Sequence, residues 1–195
     1  AVLAITSGVP SMQRVLDLVW QHLLPAMGPS PLPDDHSAQQ ALTERLAGLH
    51  LRPPAGRNVT DAGARIGGRT FNVRENDDGI AALRFDFDSE GATLTVRNDQ
   101  GEQRIACGYQ KWAYGTAAIE RLGRRQTAST PAVRRQVAAG GAWTDEQTFV
   151  VQLWWYETPF GRTLTCRFDG DSVVVEQCAN VSFGSTDRPT LLAHL

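Results

Sequence analysis

Two different periods of apolar residues divide the chain. Between residues 10 and 50 they recur every three to four positions. Met12, Val15, Leu16, Val19, Trp20, Leu23 and Leu24 form one broad face, the spacing of a helix with a buried stripe. Pro10-Ser11 precedes this face, with Ser11 placed as an N-cap, and Pro25 and the run Gly28-Pro29-Ser30-Pro31-Leu32-Pro33 end it. A second helix is expected from Ser37, which forms a capping-box pair with Gln40, along the apolar line Ala38, Leu42, Leu46 and Leu49. Pro53-Pro54-Ala55-Gly56 closes it and marks the main boundary. Ahead of both helices, residues 1–8 read as a buried strand ended by Gly8.

After about residue 64 the period changes to two. Leu83, Phe85 and Phe87 alternate with Arg84, Asp86 and Asp88, so one face of that strand is buried and the other wet. Strands are expected at 70–74, 82–88, 92–97, 103–107, 112–118, 133–139, 148–157, 163–168 and 172–177. They are separated by spacers rich in Asn, Asp and Gly, such as Asn76-Asp77-Asp78-Gly79, Ser89-Glu90-Gly91 and Asn98-Asp99-Gln100-Gly101. Phe168-Asp169-Gly170-Asp171 turns the last two into a hairpin. About nine short strands in sequence, joined by short connections, predict an antiparallel barrel ahead of a sandwich. The expected fold is therefore mainly β with an N-terminal α part: a lipocalin-like antiparallel β-barrel preceded by a strand and two helices. The expected divisions are 1–27, a linker with a helix at 28–63, and the barrel at 64–195.

Composition narrows the function classes. Of 195 residues, 42% are hydrophobic and 21% charged, with a formal net charge of −2. This is globular composition, and it supplies no electrostatic reason to expect nucleic acid or an anionic membrane as partner. Lys111 is the only lysine, so the remaining cations are arginines. No stretch approaches the roughly 20 apolar residues of a membrane-spanning helix. The three cysteines, Cys107, Cys166 and Cys178, have neither the number nor the spacing of a disulfide framework or a zinc site. A Cys166–Cys178 bridge between neighbouring strands stays open for an oxidising compartment. Buried free thiols in a reducing, cytoplasmic setting are the reading the pattern favours.

No catalytic constellation emerges. Ser-x-x-Lys cannot exist, because Gly108 stands three residues before the only lysine, and Gly-x-Ser-x-Gly and Lys-Thr-Gly are absent. His22, His36, His50 and His194 lie in no metal-ligand spacing. The pairs Asp86/Asp88 and Asp169/Asp171 lack the further oxygen ligands of a calcium loop. No catalytic residue, metal site or cofactor is expected. The distinctive feature is aromatic: Trp154-Trp155-Tyr156-Glu157-Thr158-Pro159-Phe160, with Trp112 and Trp143 elsewhere. In a strand, Trp154 and Tyr156 face one side and Trp155 the other. Trp112, Trp155, Tyr156 and Glu157 are the candidate ligand-binding residues, as an aromatic cavity with a polar anchor; packing of core and interface is the other reading. Arg121, Arg124, Arg125, Arg134 and Arg135 flank the polar run 126–131 and read as a solvated loop, or as a holder for an acidic ligand.

Several phrases carry a resemblance. Val2-Leu3-Ala4-Ile5-Thr6-Ser7-Gly8 followed by Val15-Leu16-Asp17-Leu18-Val19-Trp20-Gln21-His22-Leu23-Leu24-Pro25-Ala26-Met27 resembles the end of the catalytic domain in serine hydrolases of the class C beta-lactamase and penicillin-binding-protein-like superfamily. Gly141-Ala142-Trp143-Thr144, Tyr156-Glu157-Thr158-Pro159-Phe160 and Asn180-Val181-Ser182-Phe183-Gly184 resemble the C-terminal barrel extension of such bacterial hydrolases. The resemblance implies a parent that forms an acyl-serine intermediate, with its serine, lysine and tyrosine before Ala1. This chain would then be a non-catalytic accessory domain bordering that active site. Its partner would be the parent's catalytic domain, or a second copy covering the exposed edge strand and apolar helix face. The alternative is a β-barrel that binds a small apolar or acidic molecule.

Overall fold

The computed structural model describes residues 5–30, 33–99, 101–117 and 134–195. The chain forms two compact units, Ala1–Arg52 and Pro53–Leu195.

The first unit is helical. Helix α1 (Met12–Leu18) runs directly into a π-helical turn at Val19–Leu23. Helix α2 (His36–Ala47) is capped by Asp35, whose Oδ1 accepts from the Ala38 N–H at 2.9 Å. The expected cap, Ser37, lies inside the first turn, and the Gln40 amide donates forward to Glu44 instead of back to a capping-box N–H. The aspartate wins because its carboxylate reaches an orphan N–H and carries the charge that the positive end of a helix favours. Residues 5–7 of the expected first strand are not extended in a ladder. No ladder partner is found for them, and a lone strand cannot satisfy its backbone groups; residues 1–4 of it lie outside the described residues. None of the described residues of this unit is buried, and Trp20 is 65% and Leu46 57% exposed.

The second unit is the barrel. Among the described residues ten strands follow in chain order: β1 (Thr70–Val73), β2 (Ile80–Phe87), β3 (Gly91–Asn98), β4 (Gly101–Tyr109), β5 (Ala113–Ala117), β6 (Arg135–Trp143), β7 (Thr148–Trp154), β8 (Gly161–Asp169), β9 (Ser172–Ala179) and β10 (Asp187–His194). Their spatial order is β4-β3-β2-β1-β10-β9-β8-β7-β6-β5, and a parallel β4–β6 pairing closes the ring. Nine strands thus form a closed meander, lipocalin-like in its connections, and β5 shares the outer edge of β6 with the end of β4. Gln110, with φ of 53°, makes the tight reversal between β4 and β5. Every other ladder is antiparallel.

Two elements were absent from the sequence reading. Helix α3 (Asp61–Ile66) is capped by Thr60, whose hydroxyl accepts from the Gly63 N–H at 3.1 Å, and it buries Ala62, Gly63 and Ile66. Strand β10 pairs with both β9 and β1 and joins the two halves of the barrel. Another strand is shorter than expected. β7 stops at Trp154 because Trp155–Thr158 folds into a turn, in which the Thr158 N–H and hydroxyl donate to the Trp155 carbonyl at 2.7 and 2.8 Å. The expected strand ends at 118 and 133, and the 126–131 run with Arg121, Arg124 and Arg125, lie outside the described residues.

Inward positions are mostly apolar, and six rings fill one end of the interior. Phe71, Phe85, Phe87, Trp143, Phe149 and Phe168 stand with centroids 5.1 to 6.5 Å apart, mostly tilted or edge-to-face, arrangements that add about 0.5–1.5 kcal/mol per pair to area burial. Cys107 and Cys166 are buried, whereas Cys178 is exposed, and all three thiols are free. Cys166 shares the inward phase of Leu164 and Phe168, while Cys178 is out of phase with inward Val175 and Gln177. The two side chains leave opposite faces of the sheet, so the Cys166–Cys178 bridge that the sequence left open is not made. No helix among the described residues is long and apolar enough to cross a membrane.

Candidate functional site

The sequence candidates do not converge on one cavity. Trp112 is half-buried on the outer side of β6, where a Cβ built on Gly140 would meet it at 3.4 Å. Trp155 is buried within the core at 3% exposure, and its indole Nε1 has no hydrogen-bond partner. Tyr156 and Glu157 stand exposed on the turn after β7. The Tyr156 hydroxyl donates to the Gln136 amide oxygen at 3.1 Å, and its ring meets Tyr114 edge-on at 5.7 Å. Strand termination at Trp154 separates these side chains: alternation no longer carries past that residue.

The interior instead gathers polar groups that the sequence reading passed over. Arg162 on β8 is in phase with Leu164 and Cys166, and so points inward; it is only 9% exposed. Its Nη1 donates to the Gln177 amide oxygen at 3.3 Å. Gln177 on the neighbouring β9 is 3% exposed, and its Nε2 donates to Asp78 Oδ2 at 3.2 Å and to the Pro189 carbonyl at 3.1 Å. The loop that carries Asp78 is fixed from within. The Asn76 side chain donates to the Arg74 and Ile80 carbonyls and accepts from the Ile80 N–H, and Gly79 takes φ of 66°. Asp78 Oδ1 is buried without a hydrogen-bond partner, as is Arg188 Nε at the start of β10.

Burial dominates the electrostatics of this group. Burial lowers the Arg162 pKa to about 10, because a desolvated guanidinium loses hydration energy. Asp78 opposes that shift, and the like charge of Arg188 reinforces it. Gln177 also borders an apolar void of about 10 Å³ enclosed by Ile80, Leu83, Leu153, Leu164, Val175 and Leu191, among others. That is room for about one water. Among the described residues, two arginines, one carboxylate and an amide therefore come together at one end of an apolar interior. Among the described residues no three His, Cys, Asp or Glu side chains lie together in a way that could hold a metal ion.

A signal for this site was present in the sequence. Arg162 and Gln177 occupy positions that alternation assigns to the interior, in step with Leu164/Cys166/Phe168 and Val173/Val175. A charged or amide residue on the apolar phase of a strand is the exception that burial makes costly and therefore informative.

No family model matches the chain, and no curated protein matches it. Among solved structures, it is similar to a fatty acid-binding protein from the brain of Drosophila melanogaster, at 11% identity and a TM-score of 0.47 over 67% of this chain and 99% of that one. It is also similar to a fatty-acid-binding protein isolated from Manduca sexta, at 9% identity and a TM-score of 0.43 over 66% and 97%. The expected accessory domain of a beta-lactamase-like hydrolase is corrected here, since these neighbours are binding proteins and not hydrolases. The phrases behind that expectation have local structural duties. Gly141-Ala142-Trp143 lies on closing strand β6. Asn180 braces the 156–160 turn by accepting from the Gly161 N–H and donating to the Pro159 carbonyl.

Proposed function

We propose that the chain is a small-molecule-binding β-barrel whose ligand is an organic anion, held by Arg162 with Arg188 at the Asp78–Gln177 end. The observation that carries this reading is the inward-facing, nearly fully buried Arg162 guanidinium bonded to Gln177, which itself borders an apolar void, with Arg188 close enough to act on its charge. A carboxylate ligand would supply short, charge-assisted hydrogen bonds in a low-dielectric setting. Its apolar portion would point along the void toward Leu164 and Val175. The void is small and the six rings fill the far end, so short ligands suit the interior better than long chains. Each buried methylene contributes about 0.8 kcal/mol only while there is space to bury it.

Titration of tryptophan fluorescence and heat with a series of straight-chain carboxylates from acetate to octanoate tests the proposal. Saturable binding is expected and should be strongest for the shortest acids, because a void of about 10 Å³ leaves no room for added methylenes. Arg162→Gln should weaken binding by about tenfold to a hundredfold, the range for loss of a charged hydrogen bond. Should that variant unfold, half-buried Arg188→Gln serves the same purpose. Absence of saturation across the series, or affinity untouched by both substitutions, removes the proposal.

A further inference from the structure

A second concavity lies outside the barrel, on the wet face of β2, β3 and β4. Register places Arg84, Thr95 and Arg104 side by side across the three strands, and Ala82, Arg97 and Glu102 side by side in the adjacent row. Cross-strand neighbours on one face stand roughly 5 Å apart. The three guanidinium stems therefore surround Thr95, two from either side and one from along its own strand. Ala82 and Thr95 are small and lie only 3% and 6% exposed beneath the longer side chains. Short residues ringed by arginines leave a groove of about 220 Å³, bordered also by Thr70, Asp86 and Glu102.

The charges in this groove are unevenly committed. Arg84 Nε and Nη2 bind Asp86 at 2.7 to 3.1 Å. That contact is the largest cause holding Arg84 further toward its charged form, and Glu102 acts in the same direction. Arg97 and Arg104 make no ion pair with any described residue, although Glu102 stands opposite Arg97 in the ladder. The Thr95 side chain faces the groove and has no hydrogen-bond partner among the described residues, despite being more than nine-tenths buried. Three arginines against two carboxylates leave this face positive on a chain whose formal net charge is −2.

We infer that the outer groove of β2–β4 is a binding site for a small multivalent phosphate, with Arg97 and Arg104 as the gripping pair, Arg84 as a fixed wall and Thr95 as a floor donor. Guanidinium forks match phosphate oxygens in pairs, and a compact polyanion engages several at once where a single carboxylate could not. A buried hydroxyl adds a donor at a depth that bulk chloride gains little from reaching. This site is separate from the interior one and does not depend on it.

Calorimetric titration of the whole chain with inorganic pyrophosphate, and in parallel with ADP, tests the inference. Saturable binding of pyrophosphate is expected, weakening as chloride is raised, as fits a contact dominated by charge. The double variant Arg97→Gln/Arg104→Gln should lose about tenfold or more in affinity. Thr95→Val should reduce affinity with little change in melting temperature, a readout that a purely structural threonine would not give. ADP binding as tightly as pyrophosphate assigns recognition to the diphosphate group alone, and tighter ADP binding adds its nucleoside to the ligand; both support the site. The inference fails if neither probe saturates below ~1 mM, or if the double variant binds as the parent does. Arg162→Gln leaves this binding unchanged, which keeps the two sites distinguishable.

Discussion

At the scale of single residues, the interior favours the neutral forms of its buried thiols and of the Tyr109 hydroxyl. Burial pushes the Cys107 thiol from near 9 up to about 12, and it pushes Cys166 in the same direction. Burial is also the first cause that raises the Tyr109 hydroxyl to about 12, with Asp88 and Cys107 adding to it. A group whose folded pKa is raised contributes its full stabilising share below the unfolded pKa. That share is lost as pH climbs toward the folded value. Stability should therefore hold up to about pH 9 and decline between there and about pH 12. Melting followed by circular dichroism across that window checks the decline. Cys107→Ala should make it shallower without abolishing it, because Cys166 and Tyr109 titrate in the same sense. An unchanged slope in the variant would contradict the assignment.

At the scale of elements, the closing seam is where the barrel has least freedom. β4 and β6 meet through only two pairs, Gly108 with Gly140 and Tyr109 with Gly141. A Cβ on Gly141 would sit 2.5 Å from the Phe149 ring, and one on Gly140 would sit 2.9 Å from Pro54. Glycine is required there by close approach of neighbours. Gly141→Ala should destabilise by about 1–3 kcal/mol, the usual cost of overpacking. Gly115→Ala on β5, where a Cβ meets open space, should be close to neutral. Urea denaturation of the two variants makes the comparison, and equal midpoints would show that the seam tolerates bulk.

The same scale explains what the sequence disclosed. Strand β2 was readable because its inward Leu83, Phe85 and Phe87 differ so sharply in polarity from Arg84 and Asp86 between them. β10 was not, because Arg188-Pro189 interrupts its apolar phase and a register shift falls between Arg188 and Leu191. Pro189 fits such an irregular stretch, where a ladder hydrogen bond is already missing. Helix α3 is six residues long and contains Gly63, too short and too weak in propensity to announce itself. Gly63 is there for Trp143, whose ring lies 2.9 Å from where a Cβ would be. The aromatic candidates drew attention by their bulk, which in this chain went mainly into packing. The buried polar groups of the interior were visible only as a break in phase, at Arg162 and Gln177.

At the scale of the whole molecule, the two units differ in how they are held. The barrel owns every buried residue among those described, and the helical unit owns none. Helices of this length gain most of their stability from packing and little from propensity. Limited proteolysis of the full chain should therefore cut first within residues 1–52 and leave a resistant fragment beginning near Pro53, identified by intact mass. Initial cleavage inside the β6–β10 meander would overturn that order of stabilities. Besides the β4–β6 seam, the ring needs a second non-local ladder, which pairs Asn72 with His194 and Val73 with Ala193. These partners stand at opposite ends of the barrel sequence, so their meeting carries nearly the largest loop-closure entropy the unit can present. A barrel stitched in this way has high contact order: hairpins along the meander can zip locally, but the ring stays open until its first and last strands find each other, which sets this fold among the slower-folding topologies.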